Sequence, residues 1–368
     1  MRRRPTAGDL VVAALRGAPL PALPAAEWAR VAEHAAGHRV VDPVHRALAA
    51  AGGAPPAVLA DLATRRGRTA VAALGMARDL DVALAALAGA GVDALVLKGP
   101  VLARGWYDPP APRPYGDLDL LVRPADLPVA VAALEAVPGT SLASSWDGLR
   151  RLGAGEVDLL LPGGTPLDLH WSLLFHPAWR RRMHLPTEPL LARAVALRVD
   201  GRDLRTLEVT DTLHHLALHA SLGGGTRLVW YADLAAVVAH GPDWDALVAR
   251  SRAARTGLAV GHALHRAQAW LGVPVPDGVV AALRAEGRGW ARAGDLLDRV
   301  QPASAPAGAH GQAQRFVRSG RHRTGTSLGI WARDVARGAL HREELRPGPS
   351  AATDREAYLA QAVAAASG

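Results

Sequence analysis

The spacing of apolar residues changes between about residues 89 and 200, and this change limits the folds open to the chain. On either side, apolar residues recur at intervals of three and four, which is typical of amphipathic helices. Within the segment, "DALVLKG" (93–99) and "DLDLLV" (117–122) are short and rich in Leu and Val, and the second alternates polar with apolar residues. A period of two predicts half-buried β-strands.

The rest of this segment predicts a helix and a hairpin. "RPADLPVAVAALEAV" (123–137) has the pattern of a helix, and "EVDLLLPGGTPLDLHW" (156–171) places two alternating runs around Pro-Gly-Gly-Thr. Such a turn between two strand-like runs predicts a β-hairpin. We therefore expect an α+β fold, with a small mixed β-sheet flanked by N-terminal and C-terminal helical regions.

Four regions follow from these patterns. We expect an N-terminal helical region (1–88), an α/β core (89–200), a helical domain closing a cleft (201–300), and a linker with a C-terminal helical tail (301–368). Within the tail, a further helix is predicted near 327–344.

Composition narrows the classes of function. Lys and Arg together number 42 against 34 acidic residues, but few basic runs occur and none is interleaved with aromatic residues, so we do not expect dedicated nucleic-acid binding. The absence of Cys excludes disulfides and thiolate metal sites. No secretion signal and no uncharged apolar run of about 18 residues occurs, so a cytoplasmic protein without a membrane span is expected.

Carboxylates mark the first candidate site. Asp117 and Asp119 lie two apart on a predicted strand, so both side chains are expected on one face, opposite the intervening leucine. Two close carboxylates repel each other unless a cation lies between them. Oxygen ligands of this kind suit Mg²⁺ or Mn²⁺.

The predicted hairpin adds a third carboxylate. Asp168 and His170 share one face of its second strand. If that strand lies beside "DLDLLV", Asp168 completes an acidic triad that could hold two metal ions and stabilise both the attacking and the leaving oxygen of an in-line displacement. His170 could line the cleft. Alternatively, it could simply orient Asp168 or pack beside Trp171.

Lys98 is the only lysine among the 42 basic residues. It lies with Gly99 where a predicted strand breaks into a turn before the helix "VLARGWY". Glycine lets backbone N–H groups approach a phosphate, and the following helix N-terminus favours anions. A lysine is a compact point charge, unlike the planar forked guanidinium, so we expect Lys98 and Gly99 to face phosphate.

These motifs resemble a known superfamily. "LVLKGPVLARGWYDPPAPRPYGDLDLLVRPADLPVA" (95–130) and "PLDLHWSL" (166–173) resemble nucleotidyltransferases of the DNA-polymerase-β type, and more closely a poorly characterised bacterial nucleotidyltransferase family. "HHLALHASLGGGTRLVWYADLAAVV" (214–238) is similar to that family's helical region. The resemblance covers roughly residues 30–275.

The resemblance implies roles for individual residues. Asp117 and Asp119 correspond to metal ligands, and Asp168 to a third carboxylate that acts as a ligand and general base. Lys98 and Gly99 fall in the phosphate-facing turn.

Three further residues match the family. Arg113 corresponds to an arginine that could clamp phosphate, and Arg227 and Asp233 match the helical region and could line the cleft. Two departures stand against the superfamily pattern: Pro100 follows the motif glycine, and the spacer to Asp117 is longer than usual. The closer family also has Lys-Gly at the position of Lys98 and Gly99, so we interpret the departure from the superfamily pattern as a variant of that family.

The implied reaction is metal-dependent transfer of a nucleoside monophosphate from a nucleoside triphosphate, ATP in the first instance, to a hydroxyl or amine acceptor with release of pyrophosphate. Two alternatives remain: a non-catalytic nucleotide-binding or scaffolding protein with the same fold, and an enzyme that nucleotidylates a protein or peptide. Three mutually repelling carboxylates favour an enzyme over a scaffold.

Other conspicuous motifs are expected to be structural. His214, His215 and His219 lack an acidic partner at zinc-site spacing, so a helix surface or a structural hydrogen bond is expected. The "GGG" at 223–225 lacks the preceding strand and the following Lys-Ser/Thr of a P-loop. It therefore predicts the end of a helix and a turn. The "RRR" at 180–182 is expected to be a solvated face.

Overall fold

A computed structural model describes residues 4–300, 302–308 and 352–366. The helix predicted near 327–344 lies outside these residues. The helices are α1 (Ala7–Arg16), α2 (Ala25–Gly37), α3 (Val41–Ala51), α4 (Pro56–Gly89), α5 (Gly99–Val101), α6 (Leu127–Glu135), α7 (Trp146–Leu152), α8 (Pro177–Arg180), α9 (Thr187–Ala192), α10 (Val209–Leu222), α11 (Leu228–Val238), α12 (Trp244–Ala253), α13 (Gly257–Arg266), α14 (Asp277–Arg284), α15 (Arg288–Val300) and α16 (Ala352–Ala366). The strands are β1 (Ala94–Leu97), β2 (Leu118–Val122), β3 (Ser141–Leu142), β4 (Glu156–Leu160), β5 (Pro166–His170), β6 (Val195–Val199) and β7 (Arg202–Thr206).

The described chain divides into two compact units. The helical unit contains its residues from 4–71, 106–114 and 212–308, and the sheet unit contains those from 72–105, 115–211 and 352–366. None of the described helices is both long enough and apolar enough to cross a bilayer.

The sheet unit is built on a five-stranded mixed sheet in the order β1-β2-β5-β4-β3. Strand β2 runs parallel to β5 and antiparallel to β1, whereas β4 is antiparallel to both β5 and β3. A separate two-stranded ribbon joins β6 and β7. The mixed sheet and its surrounding helices confirm the predicted α+β class.

The hairpin prediction is confirmed at β4 and β5. The backbone N–H of Leu161 donates to the carbonyl of Thr165 at 2.9 Å, and that of Gly164 donates back to Leu161 at 2.8 Å. Gly164 has φ +82°, a left-handed conformation that glycine adopts without steric cost. The turn thus uses the glycine that the sequence provides, and it aligns the two strands.

Alternation along β2 divides its side chains between a fully apolar face and a second face, on which Asp119 lies next to Leu121 of a smaller apolar cluster. Leu118, Leu120 and Val122 of β2 point into one core with Leu167 and Leu169 of β5. Residues of α4, α6 and α7 belong to the same core. The opposite face of β2 carries Asp119, so the strand pattern decides which side chains remain available for chemistry.

The last described helix belongs to the sheet unit. Tyr358, Leu359 and Ala362 of α16 are buried in the same core as the apolar face of the sheet. The Tyr358 hydroxyl lies within hydrogen-bonding distance of the carbonyls of Ala154 and Glu156, and it accepts a hydrogen bond from Trp171 Nε1 at 3.1 Å. The C-terminal segment therefore packs beneath the strands that hold the acidic residues.

Helix ends follow local sequence signals. Helix α1 begins after Thr6, whose side chain accepts from the N–H of Asp9 while Asp9 accepts from the N–H of Thr6, a reciprocal capping box. It ends at Gly17 with φ +63°. Helix α4 confirms the long helix predicted to end in Gly-rich sequence, and α10 ends immediately before the "GGG" turn as expected.

Candidate active site

Asp119 and Asp168 occupy paired positions on neighbouring strands. The parallel register of β2 and β5 sets Asp119 opposite Asp168, with Leu118 opposite Leu167 and Leu120 opposite Leu169. Paired residues point to the same side of a sheet, so both carboxylates emerge on the face away from the leucine core. The fold thus brings together two of the three aspartates that the sequence singled out.

Lys98 forms an ion pair with Asp119. Strand β1 ends at Leu97, which pairs with Asp119 in the antiparallel register, and the Lys98 Nζ lies 2.6 Å from Asp119 Oδ1. Burial opposes the charge on Lys98, but nearby carboxylates, Asp119 foremost, raise its pKa. Lys98 has φ +43°, a left-handed conformation uncommon for a residue with a side chain. The single lysine is therefore held at the site by a strained turn.

His170 links Asp119 to a further carboxylate. Its Nε2 lies 3.0 Å from Asp119 Oδ1, and its Nδ1 lies 2.8 Å from Glu156 Oε2. Burial lowers the pKa of His170, but the Glu156 and Asp119 carboxylates outweigh that effect and raise it to about 10. Burial opposes the charge on Asp119 as well, yet Lys98 and His170 hold the pKa of its carboxyl far below the ordinary value.

Asp168 has no hydrogen bond or ion pair with any residue that the structure describes. Burial, together with the negative charge of Glu156, raises its pKa to about 8. Asp158, which is opposite Asp168 on β4, has its pKa raised to about 6 by burial and by Glu156. The nearby His170 lowers the pKa of both carboxyl groups, but burial and the charge of Glu156 outweigh it.

The donor set fits a divalent cation. Asp119, Asp168 and His170 each offer a ligand atom within 4.8 Å of the others, and so do Glu156, Asp158 and Asp168. Most of these donors are carboxylate oxygens, which are the ligands that Mg²⁺ and Mn²⁺ prefer. A divalent ion would also stabilise the ionised form of Asp168, which burial and the charge of Glu156 disfavour.

Asp117 and Gly99 flank this face. Asp117 lies in a bend just before β2, is exposed, and is close enough to Lys98 to contribute to the raised pKa of the ammonium. Gly99 begins α5 with φ +28°, and a Cβ there would lie 3.4 Å from the Tyr115 ring. The roles of Asp117 as a ligand and of Gly99 in binding phosphate remain predictions.

Arg113 is engaged within the helical unit. Its Nε and Nη2 donate to the two carboxylate oxygens of Asp233, each at 2.6 Å, and the Tyr107 hydroxyl donates to Asp233 Oδ1 at 2.8 Å. Both side chains of the ion pair are almost completely buried. Arg227 precedes α11 with its guanidinium 5.7 Å from the Trp230 ring. The phosphate role of Arg113 and the cleft-lining roles of Arg227 and Asp233 remain predictions.

Sequence reasoning missed Glu156 and Asp158. The signal was present, because "EVD" alternates with the same period as "DLH" across the hairpin, and the register places Glu156 opposite His170 and Asp158 opposite Asp168. Only the pairing of β4 with β5 shows that these carboxylates share the face of Asp168. They enlarge the acidic site beyond the three predicted aspartates.

The expectation that 180–182 forms a solvated face is wrong for Arg180. Its guanidinium donates to the carbonyls of Leu174 and Phe175, at 2.6 and 2.7 Å, and to that of Gly153. It also stacks 4.5 Å from the Trp171 ring. A planar group with five donors can satisfy several carbonyls at once, and these contacts leave Arg180 only partly exposed.

The histidines of α10 are structural in part, as expected. His214 is buried, and its Nε2 lies 2.7 Å from the Thr256 hydroxyl. His219 packs edge-on against Trp230, with 5.7 Å between the ring centroids. His215 is buried as well, so the alternative of an exposed helix surface is wrong for His214 and His215.

Comparison with known proteins places the chain in a family. The family model described as "Uncharacterised nucleotidyltransferase" matches residues 24–272. No curated protein matches the chain. An antigenic nucleotidyltransferase-like protein from Paracoccidioides brasiliensis, known from a crystal structure, is 17% identical over 56% of this chain and 92% of its own, with a TM-score of 0.35. The family match spans more than half of the chain, and the chain therefore belongs to this nucleotidyltransferase family.

Proposed function

We propose that the protein is a metal-dependent nucleotidyltransferase that moves a nucleoside monophosphate from a nucleoside triphosphate, ATP in the first instance, to a hydroxyl or amine acceptor. The observation that supports this most strongly is the direct pairing of Asp119 with Asp168 across β2 and β5. A face with two adjacent carboxylates, one of them without a described partner, has the chemistry of a site for a cation and the phosphates it binds.

Three aspartates would hold the cation. Asp119 and Asp168 come from paired strands, and Asp117 lies two residues before Asp119 at the exposed edge of the site. Mg²⁺ or Mn²⁺ bound there would neutralise charge that develops on the triphosphate during transfer. Because most of the donors are oxygens, the set fits these hard cations without any thiolate.

Side chains of the protein would carry out the proton transfer and contribute positive charge near the phosphates. In the proposed reaction the acceptor oxygen or nitrogen forms a bond to the α-phosphorus while the bond from that phosphorus to the bridging oxygen breaks and pyrophosphate leaves. Asp168 is the general base of this proposal and accepts the proton that the acceptor loses. Lys98 remains beside Asp119 and contributes positive charge at the phosphate-facing turn.

Arg113 is not required for the proposed reaction. A phosphate role would require its guanidinium to exchange Asp233 for a phosphate, since Asp233 now accepts from both its Nε and Nη2. The proposed reaction does not depend on that exchange.

Nucleotide binding provides the first test. Thermal unfolding is measured with ATP, CTP, GTP or UTP, with and without Mg²⁺, for the wild type, Asp119→Asn and Asp168→Asn. We expect stabilisation by a nucleotide that requires the metal and that both variants lose. The matched control is Asp203→Asn, whose exposed carboxylate pairs with Arg198 at the surface. Equal stabilisation without metal would instead indicate a plain nucleotide binder.

Transfer itself provides the second test. A nucleotide labelled at the α-phosphate is incubated with the protein and cell extract, and the products are separated by size. Label in small molecules supports a small acceptor, and label in protein or peptide supports the nucleotidylation of macromolecules. Label that does not depend on Asp119 and Asp168 in either fraction would contradict the proposed site.

A further inference from the structure

The helical unit contains an open cavity of about 490 Å³ whose wall is formed by α13, α14 and α15. Cavities of roughly 300–1,000 Å³ are the usual size for small-molecule ligands. The lining includes three arginines, Arg284 at the end of α14 and Arg288 and Arg292 on α15. None of the lining residues belongs to the carboxylate site of the sheet unit. The cavity is therefore a candidate site of its own.

Two glycines hold the three helices close together around the cavity. A Cβ at Gly261 of α13 would lie 2.8 Å from Leu283 Cβ and 2.9 Å from Arg284 Cγ of α14. At Gly294 of α15, a Cβ would overlap the ring of His262 on α13. Only glycine permits approaches as close as these, so tight packing fixes the walls of the cavity.

The two aspartates in the lining already have partners. Asp295 Oδ1 accepts from Arg284 Nη2 at 2.5 Å and lies 3.5 Å from His265 Nε2. Asp277 Oδ1 accepts from Gln268 Nε2 at 2.6 Å. Burial and the neighbouring Arg284 lower the pKa of His265, so this ring adds no charge at neutral pH. The arginines therefore account for the positive charge of the cavity.

Arg288 and Arg292 lie one helical turn apart in the exposed part of the lining. Neither forms an ion pair with a carboxylate that the structure describes. Like charges at this spacing destabilise a helix, and an anion bound between them removes the repulsion. The Nε of Arg284 is buried and also has no hydrogen-bond partner among the described residues. The cavity thus contains guanidinium donors that the described part of the protein does not satisfy.

We propose that this cavity binds a small phosphate monoester whose organic part carries hydroxyl groups, such as a sugar phosphate. The phosphate lies between Arg288 and Arg292, because a forked guanidinium matches phosphate oxygens and two guanidinium groups can share one dianion. The inference goes beyond the proposed function, because it adds a second binding site and does not depend on nucleotidyl transfer.

The rest of the lining matches the organic part of such a ligand. For Asp277 and Asp295, only one oxygen of each carboxylate has a contact among the described residues. The second oxygen can accept hydrogen bonds from hydroxyl groups, whereas it would repel a further anionic group. Val280 and Ala281 provide apolar contacts for carbon atoms. A hydroxylated monoester therefore fits the lining better than a polyphosphate or a dicarboxylate does.

Isothermal titration calorimetry on the full chain tests this site. The probes are glycerol 3-phosphate, ribose 5-phosphate and glucose 6-phosphate, and inorganic phosphate and glucose are the controls for the two halves of the ligand. One variant combines Arg288→Gln with Arg292→Gln, and another, Ala281→Phe, fills the cavity without a change of charge. The matched control combines Arg30→Gln with Arg299→Gln, which removes the same charge from exposed arginines of the helical unit outside the cavity.

We expect at least one of the three monoesters to bind more tightly than inorganic phosphate, and glucose not to bind. Loss of Arg288 and Arg292 should weaken binding at least about 10-fold, because hydrogen bonds to charged groups contribute more than neutral ones. Ala281→Phe should weaken binding as well, and the matched control should leave it unchanged. Binding should persist in Asp119→Asn, and failure of nucleotidyl transfer in the wild type would leave this result unaffected.

Three results would overturn the proposal. The first is that no monoester binds at millimolar concentration. The second is that inorganic phosphate binds as tightly as the monoesters, which would show that the organic part is not recognised. The third is that the matched control weakens binding as much as loss of Arg288 and Arg292 does, which would indicate non-specific attraction to a basic surface. If circular dichroism shows that Ala281→Phe does not fold, Ala281→Leu replaces it.

Discussion

The Lys98 ammonium lies 2.6 Å from Oδ1 of Asp119, and the two side chains are 14% and 3% exposed. The chain thus places its single lysine next to the central carboxylate of its candidate site. A guanidinium is larger and forked, so an arginine could not take this position beside Asp119 without moving the strained turn.

Removing the lysine should destabilise the protein. In Lys98→Met the Asp119 carboxylate keeps His170 as its one cationic neighbour among the described residues. Breaking a buried pair by removing one partner costs about 3–5 kcal/mol. Urea denaturation in the absence of metal measures this loss, and we expect Mg²⁺ to restore part of it. Arg198→Met, which breaks an exposed pair with Asp203, serves as the control and should cost less than about 1 kcal/mol.

Lys98→Arg tests the special role of lysine more narrowly. The substitution keeps the charge but replaces a point cation by a planar one, so we expect transfer activity to fall at least about 10-fold with modest change in stability. Pyrophosphate release measures the activity. Full activity in this variant would contradict the special role of lysine and would leave the role of the carboxylates unaffected.

The stability that Asp168 and Asp158 contribute to the metal-free protein should fall as pH rises between about 4 and 8. Asp168 and Asp158 have ordinary pKa values of 3.8, raised in the folded protein to about 8 and about 6, so the folded state binds their protons more tightly than the unfolded state does. Their contribution to stability is therefore present at low pH and is lost as pH rises through these values. Thermal unfolding in EDTA measures it.

Variants and metal should both flatten this pH dependence. Asp168→Asn removes the group with the larger shift, and Mg²⁺ binds the ionised carboxylates and so favours the folded state at high pH. We expect the decrease in Tm from pH 5 to pH 8 to become smaller in either case. If Asp168→Asn leaves the pH dependence of Tm in EDTA unchanged, the Asp168 carboxyl group does not titrate in this range.

The Arg113–Asp233 pair should behave as a structural element of the helical unit. Asp233→Ala leaves a buried guanidinium uncompensated and should lower the free energy of unfolding by about 3–5 kcal/mol. Combining it with Arg113→Met removes both charges, so the double variant should be more stable than Asp233→Ala alone. Chemical denaturation measures both. If instead the losses of the two single variants add in the double variant, the pair contributes little as a unit.

Tyr358 should connect the C-terminal helix to the strands of the site. Tyr358→Phe keeps the buried ring but removes the hydroxyl that accepts from Trp171 and lies beside the carbonyls of Ala154 and Glu156. Leaving these buried groups without a partner should cost about 1–3 kcal/mol. Urea denaturation measures the loss, and substitution of the exposed Ala360 to Ser provides a control with no expected effect.

Local patterns in the sequence determined the faces of the strands. A side chain that alternates with apolar neighbours must lie on the opposite face from them, whatever the rest of the fold does. That rule placed Leu118 and Leu120 in the core, Asp119 away from it, and Asp168 with His170 on one face of a hairpin strand. The turn at Pro-Gly-Gly-Thr and the ends of α4 and α10 depend in the same way on nearby residues alone.

Only the tertiary structure decided which of these faces meet. Strand order and register depend on contacts between residues far apart in the chain, and no local preference encodes them. The parallel pairing of β2 with β5 brings Asp119 to Asp168, the pairing of β4 with β5 adds Glu156 and Asp158, and the helical unit pairs Arg113 with Asp233. The sequence thus indicates which types of side chain are functional. Which partners they have depends on contacts between segments that are far apart in the chain.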